Sequence, residues 1–178
     1  MTHWADDVIG EVLITEEEIR RTVQRLGETL TRDYQGKELL VVGILRGASM
    51  FLADLIRQVH LPLKIDFISV SSYGDATKTS GVVRILKDLA VPIEGIHVLM
   101  VEDIIDSGLT WGYLQEMLAA RHPASIRICS LLDKPAARKR AVTVDYRGIE
   151  IPNKFVVGYG LDWKERYHNL PYIMVPKP

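Results

Sequence analysis

Short apolar runs that alternate with helical patterns set the narrowest limit on how this chain can fold. The run Leu39-Leu40-Val41-Val42-Gly43-Ile44-Leu45 is continuous and brief. Such a run suits a strand buried on both faces. Residues 97–101 and 126–132 read the same way. Between them lie stretches with helical spacing. Over residues 15–34, Ile19, Val23, Leu26 and Leu30 share one face. Thr15 and Glu18 have capping-box spacing, so hydroxyl and carboxylate can satisfy amides at the helix start. A second helix follows Arg46-Gly47-Ala48-Ser49 and turns Phe51, Leu52, Leu55, Ile56 and Val59 inward. A third, over 110–121, carries Tyr113, Leu114, Met117 and Leu118. Residues 63–70 and 82–86 are predicted to be extended. Strands alternating with helices predict an α/β fold with a central parallel sheet flanked by helices. Ligands of such folds bind outside the carboxyl ends of the strands. Chemistry is therefore expected just after Leu45, Val101 and Leu132.

Bulk properties exclude several function classes. A length of 178 residues fits a single domain. Apolar residues make up 47% and charged residues 25%, an ordinary globular balance. The formal net charge of -1 argues against a dedicated nucleic-acid binder. The one dense basic run, Arg138-Lys139-Arg140, reads as a solvated turn. Cys129 is the only cysteine and sits in an apolar stretch, so a buried, reduced, structural thiol is expected. The start, Met1-Thr2-His3-Trp4-Ala5-Asp6-Asp7, lacks the pattern of a signal peptide. No apolar run approaches the roughly 20 residues that span a bilayer. A cytoplasmic protein is the expectation, with no membrane partner.

The segment Val101-Glu102-Asp103-Ile104-Ile105-Asp106-Ser107-Gly108-Leu109-Thr110 carries the chemistry. Amides from Ser107 to Thr110 lie where a helix begins and share the positive end of its dipole. The hydroxyls of Ser107 and Thr110 add donors, and Gly108 permits close backbone approach. Carboxylates beside a phosphate cup would repel a bare phosphate. They make sense facing a diol or a divalent cation, and magnesium favours carboxylates combined with substrate oxygens. One reading is thus a site for a phosphorylated sugar with a metal-bound diphosphate. The other is an acidic strand-to-helix turn with ordinary capping. The residues of this segment alone leave both open.

The same segment resembles the phosphoribosyl-diphosphate signature of type I phosphoribosyltransferases, in the form found in bacterial hypoxanthine-guanine enzymes. The resemblance extends over nearly the whole chain. Residues 43–51 resemble that family's diphosphate loop. Ser71-Ser72-Tyr73-Gly74 resembles the start of its mobile lid, here 71–81. Leu131-Leu132-Asp133-Lys134-Pro135 and residues 151–162 resemble its purine-binding segments.

The resemblance implies one domain, with a core over about 37–135 and a small hood built from the N-terminal residues and about 136–178. It implies that Arg46 and Gly47 bind diphosphate through their amides, across a Leu45–Arg46 bond that is cis in some members. Residues 102–110 would hold the sugar phosphate, with Glu102, Asp103 and Asp162 serving Mg2+. Ser72 and Tyr73 would close over the site. Lys134 would donate to the purine 6-oxygen, since an ammonium is a donor only. Phe155 would stack on the base, the Val156 backbone would read its edge, and Lys154 sits beside them. Asp106 would accept a ring-nitrogen proton. The implied substrates are phosphoribosyl diphosphate and a 6-oxopurine; the implied assembly is a homodimer or homotetramer. Rival expectations are a different acceptor, xanthine or a pyrimidine, and a nucleotide-sensing, RNA-binding regulator of the same fold; a structural scaffold would leave the acidic motif unexplained. Two positions depart from the family, and at one of them Asn153 replaces a commonly acidic residue. His168 stands where arginine commonly contacts diphosphate, giving fewer donors and a pH-dependent charge. Arg166 is a candidate substitute.

Overall fold

A computed structural model describes residues 4–72 and 83–178, with the Ser72 side chain left out. The expected lid from Tyr73 on, and the side chain of Ser72, lie outside the described residues.

The elements in chain order are β1 (Ile9–Ile14), α1 (Glu16–Asp33), β2 (Leu39–Leu45), α2 (Ser49–Ile56), β3 (Lys64–Ser72), β4 (Val83–Lys87), β5 (His97–Ile105), α3 (Leu109–Ala119), β6 (Ser125–Asp133), β7 (Tyr146–Glu150) and β8 (Ile173–Pro176). Six strands form one sheet in the order β4-β3-β2-β5-β6-β7. All its pairings are parallel except β3 with β4. An antiparallel edge on an otherwise parallel sheet is common in such folds.

Strand alternation divides the core into two layers. Leu99 and Val101 of β5 pack with Ile19, Val23, Leu26 and Leu30 of α1 and Phe51, Leu52 and Leu55 of α2. Val98 and Met100 face the other way, onto Trp111, Leu114 and Leu118 of α3. The capping box at α1 is formed: the Thr15 amide donates to Glu18 at 2.8 Å, and the Glu18 amide donates to Thr15 Oγ1 at 3.2 Å. Gly27 lets α1 close on Gln58, whose Cβ would lie 2.4 Å from an added Cβ.

Three features depart from the sequence expectation. β5 continues past Val101 to Ile105, because its ladder with β6 persists through Ile104–Leu132 and Ile105–Asp133. The two carboxylates of Glu102 and Asp103 therefore sit within a strand. Val59 is buried yet lies beyond the end of α2. β1 was not foreseen. It pairs only with β8, from the far end of the chain, through a bulged antiparallel ladder. Gly10 in that ladder runs so close to Val175 O that a Cβ would meet it at 2.5 Å. The mutual hydrogen bonds of Val157 and Met174 attach the segment around Val157 to this separate two-stranded sheet. Among the described residues, no helix is long and apolar enough to cross a membrane.

Candidate active site

The site starts where β5 runs out. Alternation places Asp103 on the Leu99 and Val101 face, toward α2, and Glu102 on the opposite face. Asp103 is 9% exposed. Its carboxylate accepts from the Ile104 amide at 2.7 Å, and Glu102 accepts from the Asp103 amide at 3.1 Å. Burial and the neighbouring Asp103 charge hold Glu102 well above the usual carboxylate range. Burial raises Asp103 as well, against the lowering hydrogen bonds around it. Two such groups side by side lack positive charge, and a divalent cation would supply it. Among the described residues, no three His, Cys, Asp or Glu side chains gather into a metal cluster. Glu102, Asp103 and Asp162 thus make no closed cage. A magnesium ion held here would complete its shell with substrate and water oxygens, as that ion ordinarily does.

Past Ile105 the chain turns outward. Asp106 is exposed at the mouth, and its Oδ1 accepts from the Ser107 amide. The Leu109 amide reaches Ser107 Oγ at 3.3 Å. Gly108 has φ 78° and stands at the N-cap of α3 with no side chain of its own, so Ser107 Oγ on the Leu109 amide is a side-chain acceptor at the positive end of that helix. An added Cβ at Gly108 would meet Arg140 O at 2.6 Å. Ile104, Ile105, Asp106, Gly108 and Thr110 join Glu102, Asp103 and Trp111 in lining a small cleft of about 100 Å³.

The loop after β2 packs on this turn. Leu45–Arg46 is a cis bond. Gly47 lies directly on the Asp103 carboxylate, where a Cβ would sit 2.0 Å from Oδ2. On its other side Gly160, with φ 98°, packs on Gly47 O, so a Cβ there would meet that oxygen at 2.1 Å. Arg46 is exposed and pairs with Glu165 at 2.8 Å. Asp162 is exposed too, and its carboxylate accepts from the Glu165 amide at 2.7 Å. That is the bond of a turn aspartate. His168 Nδ1 bonds Gly160 O at 2.6 Å, turning inward onto the backbone that supports Gly47. Arg166 is exposed.

The third strand end lies alongside. Lys134 is half-buried, and its amide donates to Ile105 O at 2.9 Å. Ile151 N donates to Asp133 O at 2.8 Å, tying the segment that carries residues 154–156 to the same edge. Phe155 is 57% exposed, a large aromatic face left open. Val156 is buried. Lys154 pairs with Glu11 of β1 at 2.9 Å.

A family model described as the phosphoribosyl transferase domain matches residues 12–164. The chain belongs to the phosphoribosyltransferase family. It is 53% identical over 170 residues to the hypoxanthine-guanine phosphoribosyltransferase of Bacillus subtilis strain 168, covering 96% of this chain and 94% of that protein. It is 50% identical over 170 residues to the bifunctional protein TilS/HprT of Listeria innocua; this alignment covers 96% of the chain but only 26% of that longer protein. A crystal structure of a hypoxanthine phosphoribosyltransferase from Staphylococcus aureus superposes with a TM-score of 0.96 at 48% identity, covering 100% of this chain and 97% of that one.

The run Arg138-Lys139-Arg140, expected to be a solvated turn, is instead part of how this phosphoribosyltransferase builds its site. Arg138 is largely buried and donates to Ile105 O at 2.9 Å, to Asp106 O at 2.7 Å and to Asp133. The amides of Lys139 and Arg140 both donate to Ser107 O, at 2.9 and 3.0 Å. Charge density alone could not separate this from a surface patch. The one available signal was position, a few residues past the end of a buried strand.

Proposed function

We propose that this phosphoribosyltransferase acts in purine salvage, moving ribose 5-phosphate from phosphoribosyl diphosphate to hypoxanthine or guanine. The products are IMP or GMP and diphosphate. One observation carries the reading: the ends of β2, β5 and β6 bring Gly47, the Glu102–Asp103 pair, Asp106 and Lys134 to one edge of the sheet. The relatives named above, at about 50% identity over nearly the full chain, support it.

The residue roles follow from their chemistry. Residues 106–110, at the amino end of α3, hold the 5-phosphate. Glu102 and Asp103 would face the ribose hydroxyls and, together with Asp162, would hold Mg2+. A cation held there would supply charge neutralisation for the diphosphate. The Arg46 and Gly47 amides stabilise charge that builds on the leaving group. As the bond at the anomeric carbon weakens, the sugar gains cationic character. Asp106 accepts the purine ring-nitrogen proton. Lys134 donates to the 6-oxygen, which disfavours adenine with its amino group there. Phe155 stacks on the base, and the Val156 backbone reads its edge, with Lys154 alongside. Ser72 and Tyr73 belong to the segment that shields the cationic sugar from water. The catalytic core is about 37–135, and the hood comprises the N-terminal residues and about 136–178. The protein works in the cytoplasm as a homodimer or homotetramer.

The test mixes the protein with magnesium, phosphoribosyl diphosphate and each of hypoxanthine, guanine, xanthine and adenine. Nucleotide from hypoxanthine and guanine, and none from adenine, is the expected result. Absence of product from every base would refute the reading; a dominant rate with xanthine would change the acceptor.

A further inference from the structure

We propose that Arg138 is a positioning residue that fixes the distance between the proton acceptor Asp106 and the 6-oxygen donor Lys134. The proposal rests on the roles just given to those two residues.

The ladder between β5 and β6 ends at Ile105–Asp133. Asp106 and Lys134 are the next residues on each strand, so no strand pairing holds them. Arg138 takes over at that point. One nitrogen, Nη1, donates to Ile105 O at 2.9 Å and to Asp106 O at 2.7 Å. The other, Nη2, donates to the Asp133 carboxylate. Asp133 is buried and Arg138 largely so, with side chains 4% and 19% exposed, and Arg147 adds a longer contact to the other Asp133 oxygen at 3.4 Å. Ile105 O also accepts the Lys134 amide at 2.9 Å. A single planar group thus bridges the main chain of the acceptor turn and the residue just before the 6-oxygen donor. Lys139 and Arg140 extend the strap by holding Ser107 O through their amides. The same short segment therefore holds the carbonyls on both sides of the Asp106–Ser107 bond.

Guanidinium is suited to this task and ammonium is not. A rigid fork keeps three acceptors in one plane, whereas lysine offers a compact charge on a flexible stem. A purine must meet a carboxylate at one ring nitrogen and an ammonium at its oxygen together. A shift of about 1 Å between them costs on the order of 10²-fold in rate.

The experiment compares wild type with R138K and with D133N/R138Q. The double variant removes both charges, so a buried Asp133 carboxylate is not left with only its longer 3.4 Å contact to the half-exposed Arg147. Steady-state kinetics give kcat and each KM, calorimetry gives the affinity and stoichiometry for phosphoribosyl diphosphate with magnesium, and thermal melts report folding. We expect the purine KM to rise and kcat to fall, each about tenfold or more, the loss typical of hydrogen bonds to a charged group. Binding of phosphoribosyl diphosphate should keep full stoichiometry and lose less affinity than the purine does, because the Lys139 and Arg140 amides still hold Ser107 O. A merely structural role would instead reduce the bound fraction or weaken both substrates alike, and that result overturns the proposal. So does a folded variant of either kind with wild-type kcat and purine KM. Failure of wild type to form nucleotide from any base would remove the assignment of Asp106 and Lys134 instead.

Discussion

Asp106 stands beyond the last paired residue of β5, exposed, with its carboxylate turned back onto the Ser107 amide. Nothing about that placement serves packing. Replacing it with asparagine keeps the shape and the accepting oxygen but removes the base. D106N is therefore expected to lower kcat by about 10²–10⁴-fold, the usual contribution of a positioned base. Its melting temperature should stay near that of wild type. Steady-state kinetics beside a thermal melt check both halves; full turnover in D106N would assign the proton to another acceptor. Gly47 makes the opposite kind of case, since it matters by having no side chain. An added methyl would lie 2.0 Å from Asp103 Oδ2, and that carboxylate is held by the Ile104 amide. G47A must displace either the loop or the carboxylate. We expect kcat/KM for phosphoribosyl diphosphate to fall on the order of 10²-fold, read from initial rates at limiting donor. Cys129, by contrast, behaves as its apolar neighbours imply: it is buried, and burial pushes its thiol up, away from nucleophilic use.

Elements were legible where their signal is local. The α1 face at Ile19, Val23, Leu26 and Leu30 and the capping box at Thr15 need only nearby residues, and both are formed. The continuous run of β2 shows burial on both faces for the same reason. The capping box also gives a clean measurement. T15A should cost about 1 kcal/mol, a drop of roughly 2–4 °C in melting temperature for a chain of this size. Activity at 25 °C should not change, because α1 packs on the sheet away from the cleft. β1 was illegible because its partner lies at the other end of the chain, and because Gly10 and two bulges break any alternation. The carboxylates of Glu102 and Asp103 hid the far end of β5, since charged residues are depleted in strands. Arg138 illustrates the wider limit. Its value comes from three acceptors on β5, the turn and β6, and only the assembled sheet edge brings them together. The strand ends after Leu45, Val101 and Leu132 were legible from pattern, and they do lie side by side in the sheet, but the strap that joins two of them was not.

Across the whole molecule, buried and paired carboxylates respond to pH with opposite signs. Asp88 is lowered first by its paired bonds from Arg121, at 2.9 and 2.7 Å, which tie the segment after β4 to the end of α3. At Asp66 burial pushes upward, but the Phe67 and Ala90 amides and Lys87 outweigh it and leave the group lowered. A carboxylate lowered on folding stabilises above its unfolded pKa and loses that contribution as pH falls through its folded value. These two therefore steepen the acid limb of the stability curve. Glu102 works in reverse, because its folded pKa is raised. The folded state holds that proton more tightly, so stability declines as pH rises from the ordinary carboxylate range through the raised value. Without metal, melting temperature is expected to peak on the acid side of neutrality. E102Q removes the charge and the proton together. It should raise the melting temperature at neutral pH, flatten the neutral limb and leave the acid limb unchanged. Magnesium with phosphoribosyl diphosphate should do the same for wild type by balancing the charge, and should do less for E102Q. Thermal melts from pH 4 to pH 9, with and without those ligands, measure all four curves. A neutral limb that E102Q does not alter would mean that the Glu102–Asp103 pair is already compensated within the protein, and that the site needs no cation to hold it.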